Sequence, residues 1–146
     1  MTTSISPRQH PTWVFSDTSG LFGAAVARDE NHQAARTILD RLQAERVRFF
    51  TTLYVLAELH ALVITRTRDP RLALNTVSRI ERGATTIVPV TDGDQARART
   101  ILASRPDKLY SLTDALSFAA MERLGIARVF TFDRNFSQHG FQLVGA

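Results

Sequence analysis

Short apolar runs alternate with longer stretches whose apolar residues return at helical spacing. No other feature of the chain constrains its fold as much. The runs are Thr12-Trp13-Val14-Phe15, Val47-Arg48-Phe49-Phe50, Thr85 to Val90, Ala127 to Phe132 and Phe141 to Val144. Each has the length and the β-branched or aromatic content of a strand. Pro89 suits an edge or a strand end, because it cannot donate to a ladder. Between the runs, Leu21 to Arg28 reads as a short helix despite Gly20 and Gly23. Asn31 can cap a second helix carrying Ala34, Ala35, Ile38, Leu39 and Leu42. Thr51 or Thr52 opens a third, with Leu56, Leu59, Leu62 and Val63 at its apolar positions. Asp69-Pro70 starts a fourth that stops at Gly83, Pro being tolerated at the first helical position. Asp92 to Ala103 is a fifth helix, Arg105-Pro106-Asp107 a loop, and Thr113 to Leu124 a sixth helix closed by Gly125. Strands alternating with helices predict an α/β domain, with a mainly parallel sheet covered by helices on both faces.

A chain of 146 residues is the size of one ordinary domain, here read as residues 12–146. Residues 1–11, with Pro7 and Pro11, are read as a flexible N-terminal tail. They lack the apolar core of a signal peptide, and no apolar run approaches the ~20 residues of a membrane span. A cytoplasmic protein with no membrane partner is expected. The absence of Cys excludes disulfides, thiolate metal sites and cysteine nucleophiles. The net charge of +4 favours a polyanionic partner. The basic residues are nevertheless dispersed along the chain, so they read mainly as solvated helix faces.

Against that basic background stand Asp17, Glu58, Asp114 and Asp133. Asp17 and Asp133 each follow an apolar strand-like run, and ligands of open α/β sheets bind beyond the carboxyl ends of strands. Glu58 sits at the border of its helix's apolar stripe, and Asp114 lies in the first turn of its helix. All four can face one end of the sheet. Gathered there, their repulsion must be neutralised, most simply by a divalent metal. Carboxylates are hard oxygen ligands and suit Mg²⁺ or Mn²⁺ over Zn²⁺. Singly, each acid has a plainer reading. Asp17 can cap the following helix. Ser111-Leu112-Thr113-Asp114 fits a capping box. Asp133-Arg134-Asn135 has turn composition. Glu58 is the hardest to explain that way. Ser19 can hydrogen-bond Asp17, and a strand period of two puts Thr131 and Asp133 on one face, so both hydroxyls are candidates for supporting roles.

Other chemistries fit less well. His10, His32, His60 and His139 lack ligand spacing. There is no glycine-rich phosphate loop and no GxSxG turn. Asp92 and Asp94 begin a helix and read as caps. A haloacid-dehalogenase-like phosphatase needs a second Asp where Ser19 stands. A receiver domain needs a Lys after a late strand, but Lys108 precedes the last long helix. A non-catalytic module that binds nucleic acid or a protein partner stays open as an alternative, its acids serving only as caps.

The ordered set of motifs resembles the PIN-domain ribonucleases, and within them the VapC-type toxins of toxin–antitoxin pairs. The resemblance runs from about Trp13 to Val144. It rests on the strand followed by Asp17-Thr18-Ser19, on Thr51 to Glu58, on Ser111-Leu112-Thr113-Asp114-Ala115, and on Thr131-Phe132-Asp133-Arg134-Asn135-Phe136. It implies a three-layer α/β/α sandwich with a central parallel sheet of four or five strands. It also implies a Mg²⁺- or Mn²⁺-dependent endoribonuclease, usually a homodimer, acting on RNA and silenced by a cognate antitoxin. Carried over position by position, Asp17, Glu58, Asp114 and Asp133 become the catalytic, metal-binding quartet, with Ser19 and Thr131 in support. None of the four acids is replaced by an amide.

Overall fold

The computed structural model describes residues 10–145. The expected tail lies outside the described residues except for His10 and Pro11. Those two are tied down: the His10 amide donates to Gly125 O, and its ring stacks on Trp13 at 3.7 Å.

Five strands form one parallel sheet: β1 (Trp13–Ser16), β2 (Arg48–Thr51), β3 (Thr86–Ile87), β4 (Arg128–Phe130) and β5 (Gln142–Leu143). Their order across the sheet is β3-β2-β1-β4-β5. Helices α1 (Thr18–Ala25) and α2 (His32–Ala44) join β1 to β2. Helices α3 (Leu53–Thr67) and α4 (Pro70–Arg82) lead to β3, and α5 (Asp92–Ser104) and α6 (Leu112–Leu124) lead to β4. A five-residue α7 (Arg134–Gln138) joins β4 to β5.

The two faces of the sheet are buried by different helices. Phe15, Phe50 and Val129 pack with Ile101 of α5 and with Leu116, Phe118 and Met121 of α6. Their strand neighbours Val14 and Phe130 point the other way, onto Ala35, Ile38 and Leu42 of α2. This is the period-two alternation of a strand buried on both sides. A third cluster lies among helices: Phe22 and Val26 meet Leu59 and Val63 of α3 and Ala73 of α4. The α/β class, the parallel sheet and the helices on both faces are therefore as expected.

The departures are local. The run Thr85 to Val90 yields a strand of only two residues, because Pro89 cannot extend the ladder; its carbonyl instead accepts from Arg123. The run Ala127 to Phe132 stops pairing at Phe130, which leaves Thr131 and Phe132 beyond the sheet. The first helix begins at Thr18, three residues before the expected Leu21. The turn after Asp133 continues into α7.

After β1 the chain adds β2 and β3 on one side, then returns to place β4 on the other. The direction of progression reverses between β1 and β4, and open α/β sheets hold their ligands at that crevice. Ser16 pairs with Phe130, so the residues that follow each, Asp17 and Thr131, emerge side by side.

Candidate acidic site at the sheet's carboxyl edge

Asp17 is 3% exposed and occupies the N-cap position of α1, yet its side chain makes no capping bond. Its Oδ2 instead accepts from the Thr131 hydroxyl at 2.8 Å. Its Oδ1 is buried and finds no partner among the described residues. Burial pushes the Asp17 carboxyl from 3.8 up to about 7. The Thr131 hydroxyl and the Thr18 amide pull against that shift, while the charges of Asp114 and Glu58 add to it. The capping account therefore fails for Asp17. Its environment withholds the donors a buried carboxylate needs.

Gly20 makes this close approach possible. A Cβ there would lie 2.5 Å from Phe130 O, the carbonyl that also accepts from the Asp17 amide. The glycine that weakens the helix on propensity thus lets α1 settle against the end of β4.

Thr131 organises the hydroxyls. Its Oγ1 accepts from the Asp133 amide at 3.0 Å and lies 2.9 Å from Ser19 Oγ. Ser19 Oγ accepts in turn from the Phe132 amide at 2.9 Å. With Asp17 ionised, the Thr131 proton goes to Asp17, so Ser19 donates to Thr131 and both Thr131 lone pairs are filled. Ser19 therefore reaches Asp17 through Thr131 and does not bond it directly, contrary to the sequence expectation. Thr131 and Asp133 are joined by a turn hydrogen bond, since the strand has already ended.

The other acids come from separate elements. Glu58 is half-buried on α3, and among the described residues no side chain or amide donates to it. Thr52 fixes that helix by accepting from the Val55 amide, and Thr51 ties β2 to β1 by donating to Ser16 O at 2.8 Å. Asp114 is 6% exposed and completes the capping box with Ser111, so its plainer reading holds. Its Oδ2 accepts from the Ser111 amide and from Asn135 Nδ2. Burial raises its carboxyl pKa; the Ser111 amide and Asn135 offset this, and the charges of Asp133 and Glu58 reinforce it. Asp133 caps α7 by accepting from the Asn135 amide at 2.9 Å through Oδ1. Asp17, Glu58 and Asp114 are thus within electrostatic reach of one another, and Asp133 of Asp114. Among the described residues no three acidic or histidine side chains have collapsed into a ready-made ligand cluster. The donor set still fits a hard cation, because the buried Asp17 Oδ1 has no protein donor among the described residues and is a hard oxygen ligand.

Asn135 was missed in the sequence beyond its turn composition. Its spacing two residues after an Asp, a common side-chain-to-amide turn, was the available signal. The histidines stay out of the site: His139, for one, stacks on Phe118 at 4.4 Å and faces Glu122. Among the described residues five Arg side chains are in ion pairs, as Arg97 with Glu122 and Arg128 with Glu45. No helix among the described residues is long and apolar enough to cross a membrane.

Comparison with known proteins agrees with this architecture. The 23S rRNA-specific endonuclease VapC20 of Mycobacterium tuberculosis, from strains CDC 1551 / Oshkosh and ATCC 25618 / H37Rv, is 31% identical over 135 residues. The match covers 88% of this chain and 95% of the relative. The crystal structure of M. tuberculosis VapC20, described as a Sarcin-Ricin loop cleaving toxin, superposes with a TM-score of 0.79 at 29% identity. That superposition likewise covers 88% of this chain and 95% of the other. The PIN domain model matches residues 14–142, which takes in β2, β3 and β4 whole, parts of β1 and β5, and all four acids, and the chain belongs to the PIN domain family.

Proposed function

We propose that the protein is a divalent-metal-dependent endoribonuclease, the toxin of a toxin–antitoxin pair, using Mg²⁺ or Mn²⁺. The observation that carries this reading is Asp17: a buried carboxylate at the reversal point of a parallel sheet, with one oxygen held by Thr131 and the other without a donor. Asp17 and Asp133 would hold the principal ion, and Glu58 and Asp114 would complete its surroundings. A cation bound there would supply positive charge against the phosphate oxygens and make a water more acidic. Thr131 keeps Asp17 oriented, and Ser19 keeps Thr131's proton pointed at Asp17. Asp114 presents Oδ1, because Oδ2 is committed to Ser111 and Asn135. Asp133 presents Oδ2, because Oδ1 caps α7. Arg134, exposed beside Asp133, neutralises an RNA phosphate.

The name of the M. tuberculosis relative makes 23S rRNA the first substrate to test. The protein acts as a homodimer in the cytoplasm and is silenced by its antitoxin. Leu53, Tyr54, Leu109 and Leu112 are all exposed near the N-termini of α3 and α6, and supply an apolar surface for pairing. The test incubates purified protein with total RNA and with intact ribosomes, with and without Mn²⁺, and maps the cut ends. Cleavage that requires Mn²⁺ and disappears in Asp17→Asn supports the reading. Metal-independent cleavage, or equal cleavage by the variant, refutes it.

A further inference from the structure

We propose that Asn135 is a positioning residue that sets the separation of Asp114 and Asp133 and thereby the metal affinity of the site. This rests on the metal-site reading above. Three donors of Asn135 are used, each on a different segment. Its amide N–H goes to Asp133 Oδ1 at 2.9 Å. Its side-chain Nδ2 donates to Asp114 Oδ2 at 3.1 Å and to Leu109 O at 3.3 Å. Both side-chain neighbours are acceptors only, so the nitrogen must face them and the amide orientation is fixed by chemistry.

The consequence is mechanical. Asp114 stands on the first turn of α6, and Asp133 stands at the start of α7. The two helices have no covalent link shorter than β4 and its flanking loops. Among the described residues, Asn135 is the one in hydrogen-bond contact with both carboxylates. Its bond to Leu109 O also anchors the loop that delivers Ser111, the cap of α6. Two like charges are thus held by neutral donors of one residue, Asp133 through Oδ1 and Asp114 through Oδ2. The remaining oxygens, Asp114 Oδ1 and Asp133 Oδ2, stay available. Neutral donors suit this task, since a Lys or Arg at the same point would compete with the cation for the carboxylates.

The experiment measures Mn²⁺ binding by calorimetry and metal-free melting temperature for the wild type, Asn135→Ala and Asn135→His. Alanine keeps the backbone cap to Asp133 and removes the reach to Asp114. Histidine restores an N–H at the same bond distance from the backbone. The expected result is a loss of Mn²⁺ affinity of about tenfold or more in Asn135→Ala, the scale of a lost contact behind a metal ligand. Recovery of most of that loss in Asn135→His, with the metal-free melting temperature shifted by only a few degrees, completes the expected pattern. Asn135→Ser, too short to reach Asp114, takes the place of alanine if that variant does not fold. Wild-type affinity in Asn135→Ala overturns the assignment alone. A melting temperature that falls while affinity per folded molecule is unchanged does the same. A wild type that binds no Mn²⁺ overturns the metal site and this assignment together.

Discussion

Two buried aspartates occupy similar places in this fold and meet opposite fates. Asp17 and Asp94 are each 3% exposed, and each lies at the start of a helix that follows a strand. Asp94 is fully answered. It closes a capping box with Thr91, and the Arg123 guanidinium grips both its oxygens at 3.0–3.2 Å. Burial alone would raise its carboxyl pKa, but the Arg123 hydrogen bonds, the Thr91 amide and the Arg123 charge outweigh burial and hold it below the usual range. Asp17 has one hydroxyl, an empty oxygen and acidic neighbours, and is pushed up to about 7. The same sequence logic, an Asp opening a helix after a strand, yields a finished structural joint in one place and an unmet demand for positive charge in the other. Position alone does not separate them. The partner does: Arg123 reaches one, and no cation among the described residues reaches the other.

The largest effect that would break this contrast is on catalysis. Asp17→Asn is expected to lower Mn²⁺-dependent RNA cleavage by more than about 100-fold, beyond the loss typical of a supporting contact. Asp94→Asn should retain most of its activity per folded molecule. RNA cleavage assays corrected for the folded fraction decide this, and equal losses in the two variants would erase the distinction.

Titration should also separate them. The Asp17 carboxyl rises from 3.8 unfolded to about 7 folded, so between those values the folded state binds the extra proton. Its contribution to the metal-free fold is full below pH 4, fades as pH rises through 7, and is on the order of 4 kcal/mol. Asp94 runs the other way, stabilising above its unfolded value and losing that contribution as pH falls through its depressed folded value. Denaturant melts of the wild type and Asp17→Asn between pH 5 and 9 check this. The variant should lack the decline, and Mn²⁺ should flatten it in the wild type. A wild-type profile that is flat without metal would count against the Asp17 environment described above.

Smaller effects sharpen the structural half. Arg123→Ala should cost about 2–3 kcal/mol, less than the ~3–5 of a fully buried pair because Arg123 is 38% exposed. Gly20→Ala should cost about 1–3 kcal/mol by overpacking against Phe130 O. It should also reduce Mn²⁺ affinity, since α1 carries Asp17. If Gly20→Ala were neutral in both, the close approach of α1 to β4 would not be what positions Asp17.

The sheet was legible because its strands are buried on both faces and stand out as apolar runs between turn signals. Helix ends were legible where a capping side chain or a left-handed Gly marks them, as at Asp69, Ser111 and Gly125. The start of α1 was not, because its glycines argue against a helix until Phe130 O is known to lie against Gly20. Helix α7 was hidden for a different reason: five residues carry too little periodicity to register. The four acids could be found by order and neighbours. Their separate hydrogen bonds could not, because Thr131 and Asn135 act across more than twenty residues of chain. Sequence distance hides such contacts even when each residue type is suggestive.

The insertion of β4 beside β1 has a consequence for the order in which a growing chain becomes dangerous. Asp17, Glu58 and Asp114 are all synthesised before β4, yet Thr131 and Asp133 come only with it. A chain halted after α6 carries three of the acids without the strand that desolvates the first and supplies the fourth. Its β1 has a partner on one side only, and the crevice at the reversal point does not exist. For the proposed chemistry, synthesis itself works as a safety catch: a partial product lacks the fourth acid and the strand beside Asp17, and the nuclease arms in a single late step.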